Sequence, residues 1–66
     1  MVKTFEEFKK SIKEDFELFS KENDDIKRMG LSLLSLICVL RQLRSKDINE
    51  NKELEEIIKK IRTYLP

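Results

Sequence analysis

Apolar side chains recur at helical spacing along the chain, and no stretch alternates as a pair of strands would. Phe5, Phe8, Ile12, Phe16 and Phe19 step by three and four residues, lining one face of a first helix. Glu6, Glu7, Lys9, Lys10, Lys13, Glu14 and Glu17 fill the other face. Thr4 with Glu7 three residues later has the spacing of a capping box, so this helix is predicted over residues 4–20. The aromatic stripe is read as a packed core face rather than a ligand box.

A polar run at residues 20–25 supplies Asn23 and Asp24 as caps for a second helix over residues 25–44. At about 100° per residue, Ile26, Met29, Leu33, Leu36, Ile37, Leu40 and Leu43 form a broad face, predicted to be the core. Leu31, Cys38 and Val39 lie outside it, interleaved with Ser32, Ser35 and Gln42. A helix apolar nearly all round is a buried helix, and two neighbours cannot cover it. Leu31, Ser35, Cys38, Val39 and Gln42 are therefore predicted to form a protein interface, whose small residues allow a close helix approach. Gly30 either ends a short helix or admits another backbone. Ile26 and Met29 stay in phase with Leu33 and Ile37 across it, which favours one continuous helix.

The third helix is predicted over residues 51–65, with Leu54, Ile57, Ile58, Ile61 and Leu65 on its apolar face. Asp47, Asn49 and Asn51 all qualify as its cap. Glu53, Glu55 and Glu56 lie in its first turns and Lys59, Lys60 and Arg62 in its last, in agreement with the helix dipole. The expected fold is thus all-α: one domain over residues 1–66, a small up-down-up three-helix bundle completed through helix 2 by oligomerisation or a partner.

Charge supports that order. Residues 14–25 hold six acids against Lys21, and residues 26–46 hold five basic residues and no acid. Residues 47–56 hold five acids against Lys52, and residues 57–66 three basic residues alone. An up-down-up path brings Arg41 and Arg44 to the acidic start of helix 3, and Glu14, Asp15 and Glu17 beside Lys59, Lys60 and Arg62. Surface pairs are worth only ~0–1 kcal/mol, so they select an arrangement more than they stabilise it.

Size sharpens the need for a partner. A 66-residue chain buries only ~60% of its unfolded surface. A single Cys excludes an internal disulfide, and without His a structural zinc site lacks its ligands. No cofactor, metal or catalytic residue is expected. Cys38 has no His to act as its base, Asp24–Asp25 and Glu55–Glu56 diverge on a helix, and one glycine cannot build a phosphate-binding loop. The longest apolar stretch, residues 29–40, is well short of the ~20 residues that span a bilayer, and no secretory signal is expected.

These features predict a non-enzymatic protein–protein interaction module in the cytoplasm. It would be an accessory subunit or regulator of a larger complex, its partner either itself, as a homodimer, or a larger protein. Two alternatives stand beside this reading. Lys59, Lys60 and Arg62 are the candidate contacts for nucleic acid, engaged directly or through a partner, although a net charge of +1 offers little general grip on a polyanion. Association with a membrane surface through helix 2 is the other.

Overall fold

The computed structural model describes residues 4–65. Three helices account for nearly all of them: α1 (Phe5–Ser20), α2 (Asp24–Arg44) and α3 (Ile48–Thr63). No strand occurs among the described residues. The Cα radius of gyration, 11.8 Å, is close to the ~11 Å of a compact chain of this length and far from the ~25 Å of an unfolded one.

Each helix starts where a short polar side chain can take up a free amide. Thr4 Oγ1 accepts from the Glu7 amide at 3.2 Å, and Asn23 Oδ1 from the Ile26 amide at 3.1 Å. Asp47 Oδ1 accepts from both Asn49 (2.8 Å) and Glu50 (3.2 Å). Of three candidate caps for α3, the first in sequence is used, and the helix begins three residues before the expected start. Asn51 instead turns its Nδ2 to the Ser45 carbonyl at 3.4 Å. α2 runs unbroken through Gly30, as its apolar phase predicts.

The order of contacts fixes the helix directions. The start of α1 meets the end of α2, where the Arg41 guanidinium lies 4.9 Å from the Phe8 ring centre and 5.9 Å from that of Phe5. The end of α1 meets the start of α2, where Phe19 lies against Gly30; the two helices run oppositely. Between α1 and α3, Lys9 Nζ pairs with Glu53 at 3.1 Å, and Phe16 meets Tyr64 edge-on with ring centres 5.0 Å apart. Those two helices run the same way. At the α2–α3 connection, Gln42 Nε2 donates to the Asn51 carbonyl at 3.2 Å and to Glu55 at 3.1 Å, while Ser45 Oγ donates to Glu50 at 3.1 Å.

α2 carries most of the packing, against α3 and then α1, whereas α1 and α3 meet mainly through side chains. The core is Ile12 from α1, Leu31, Leu34 and Cys38 from α2, and Leu54, Ile58 and Ile61 from α3. Phe5, Phe8, Phe16, Phe19, Ile37, Val39, Ile57 and Leu65 pack around it, half-buried. The stripes expected on α1 and α3 face inward. The face expected to be buried on α2, apart from Ile37, does not.

Candidate protein-binding surface

α2 presents two stripes on opposite sides, and their burial is the reverse of what the sequence predicts. Leu31 and Cys38, assigned from sequence to an interface, are 0% exposed inside the chain's own core. Ser35, Val39 and Gln42 are half-buried around them. Ile26, Met29, Leu33, Leu36, Leu40 and Leu43, assigned to the core, are all exposed, from 43% at Ile26 to 77% at Leu43. The reason is volume. Phe19 of α1 lies against Gly30 of α2, while Phe5 and Phe8 meet Arg41, and the face that receives Phe19 needs a small residue. Gly30 supplies that room. A row of leucines there would overfill it. Leu34, 2% exposed and with no role assigned from sequence, completes the inner face.

The outer stripe is regular. Its residues fall at steps of 3, 4, 3, 4 and 3 from Ile26 to Leu43, the two-in-seven spacing of a coiled-coil seam rather than a broad core face. At 1.5 Å per residue it is roughly 26 Å long. Every position in it is a large aliphatic side chain or Met. Leu18, Ile48 and Tyr64 are also exposed, so among the described residues nine large apolar or aromatic side chains face outward against seven in the core. The stripe is a contiguous exposed apolar row along one side of α2.

The remaining candidate groups are held in local structure. Lys60 Nζ lies 5.4 Å from the centre of the Phe16 ring. It borders a groove of about 310 Å³ between α1 and α3, lined also by Lys9, Ile12, Lys13, Phe16, Ile57 and Ile61. Lys59 and Arg62, its expected companions for nucleic acid, are exposed and do not line the groove. Lys9 is held above its ordinary pKa by a hydrogen bond to Glu53 and a second to Glu6. Arg41 and Arg44 share a cleft with Ser45, Lys46, Asp47 and Glu50, the juxtaposition of basic and acidic blocks that the charge pattern predicts.

Burial pushes the Cys38 thiol from its ordinary 9.0 up to about 11. The folded chain therefore keeps its thiol proton at pH values where the unfolded chain has lost it. Stability is fully present below pH 9 and falls between pH 9 and 11. Thermal melts across that range should show a steeper alkaline loss for the wild type than for Cys38→Ala. Equal slopes would contradict a buried, neutral thiol.

No group of three or more His, Cys, Asp or Glu side chains suited to a metal ion is brought together among the described residues. Among the described residues, no helix is long and apolar enough to cross a membrane. Comparison with protein-family models, curated proteins and solved structures gives no match.

Proposed function

We propose that the chain is a non-enzymatic protein–protein interaction module, an up-down-up three-helix bundle that serves as accessory subunit or regulator of a larger complex. Its contact surface is the outer face of α2. The observation that carries this reading is the unbroken outward row of Ile26, Met29, Leu33, Leu36, Leu40 and Leu43 on a helix whose opposite face is already packed. Six large apolar side chains held in water along one line cost solubility, and their burial against a protein surface recovers about 25 cal/mol per Å² of apolar area. A reducing cytoplasm suits the single buried thiol and is the compartment this reading assigns.

A photoreactive benzoylphenylalanine in place of Leu40 tests the surface directly in the cell that makes the protein. Irradiation should yield discrete protein adducts from position 40 and none from the same probe at Lys10, an exposed position on α1. Adducts to lipid alone, or an equal yield from both positions, would overturn the assignment.

A further inference from the structure

Resting on the contact surface proposed above, we infer that its occupant is a second copy of this chain, docked α2 against α2 in antiparallel alignment about a two-fold axis near the middle of the helix. Isologous two-fold contacts are the commonest way soluble chains associate, and they require a self-complementary patch. The stripe meets that requirement by its spacing. Its midpoint lies between Leu33 and Leu36, with two further positions on each side. Reversing one copy sets Ile26 opposite Leu43 of the second copy, Met29 opposite Leu40 of the second copy, and Leu33 opposite Leu36 of the second copy. The axis repeats each pairing, so every apolar layer is filled and none is left facing water.

Apolar layers alone do not choose a direction, because a parallel pair would match large aliphatic residues equally well. The ends choose it. Glu22 and Asp25 are exposed where the stripe begins; where it finishes, Arg44 and Lys46 are exposed, with Asp47 and Glu50 in the cleft beside them. Lys27 and Arg28, close to the acidic end, fall at helical positions turned away from the stripe. A parallel pair stacks each end on its own kind and aligns the two helix dipoles. The antiparallel pair brings the acidic end of one copy to the basic end of the other, twice, and sets the dipoles head to tail. The same stripe argues against a membrane as occupant. A surface-lying helix exposes a strongly basic polar face opposite its apolar one, whereas the far side of α2 is the protein core.

Sedimentation equilibrium over a range of concentrations tests this on the full chain. The wild type should approach twice its 7.9 kDa at micromolar concentration. Leu36→Glu, which places a carboxylate in two central layers, should weaken association by at least ~100-fold while far-ultraviolet circular dichroism stays helical. Arg44→Glu combined with Lys46→Glu should weaken it by roughly tenfold, and adding Glu22→Lys and Asp25→Lys should recover most of that loss. These four side chains are exposed, so the charge series keeps its meaning even if Leu36→Glu fails to fold.

A dimer that responds to Leu36→Glu but not to the charge series overturns the antiparallel alignment and leaves the contact surface standing. A 7.9 kDa monomer at every concentration overturns the second copy as occupant. If that monomer still gives a protein adduct from position 40, the proposed surface survives with another partner. If instead it sediments with phosphatidylglycerol–phosphatidylcholine vesicles and Leu36→Glu releases it, both readings fall.

Discussion

Leu31→Ala should cost the fold about 2–5 kcal/mol, and Leu36→Ala in dilute solution less than about 0.5 kcal/mol. Both substitutions remove the same atoms from the same helix, five residues apart. The difference comes from where each side chain sits. Leu31 is fully buried among residues of all three helices, so its truncation loses transfer energy and leaves a cavity. Leu36 keeps about half of its surface in water already. A core this small rarely supplies more than ~3–5 kcal/mol in all, so Leu31→Ala should abolish cooperative thermal unfolding or lower the midpoint by well over ~10 °C. Leu36→Ala should leave the dilute midpoint almost unchanged and remove its dependence on protein concentration. Equal losses from the two, measured below the association range, would mean that the faces of α2 are assigned wrongly.

That experiment separates the two readings of α2, because sequence periodicity alone chose the wrong one. α1 and α3 are each apolar on one side and charged on the other, so a single stripe specifies what faces inward. α2 carries two stripes. One runs through Ile26, Met29, Leu33, Leu36, Leu40 and Leu43, the other through Gly30, Leu31, Leu34 and Cys38. Ranking them by the number of large apolar residues favours the first. The physical criterion is complementarity of volume with what arrives from α1, and at Gly30 the Phe19 ring already supplies the bulk. Gly30 marked close approach in the sequence, and the approach there is by the Phe19 ring of the same chain rather than by a second backbone.

Two polar residues carry a similar lesson. Arg41 and Gln42 are polar, yet both are half-buried at the border of the core. Arg41 spreads over two phenylalanine rings of α1, where a guanidinium gains from the ring faces. Gln42 reaches a carbonyl and a carboxylate of α3. Each is half-buried, and its polar end finds a partner. Sequence distance hides both pairings: α1 approaches Arg41 because the chain folds back, and Gln42 meets Asn51 and Glu55 across the α2–α3 connection. The same turn geometry explains why three plausible caps could not be separated beforehand. Asp47 alone has two amides in front of its carboxylate.

Gly30 offers the sharpest test of how α1 is seated. A methyl group added there would fall within the Phe19 ring, with Cε1 only 2.7 Å away and two further ring atoms nearer still. Replacing a mid-helix glycine by alanine ordinarily stabilises a helix by about 0.5–1 kcal/mol. Here the displaced aromatic should more than reverse that gain, since overpacking costs about 1–3 kcal/mol. Gly30→Ala should therefore destabilise the chain, and Gly30→Val, with two more methyl groups and a stiffer side chain, should destabilise it further. The decisive measurement is a double-mutant cycle. In a Phe19→Ala background the obstacle is gone, and Gly30→Ala should change sign and stabilise the helix. A coupling of about 1.5 kcal/mol or more between positions 19 and 30 would fix the end of α1 against the first turns of α2. If Gly30→Ala stabilises both backgrounds alike, Phe19 does not rest on the glycine, and the small-residue face of α2 does not owe its inward turn to the aromatics of α1.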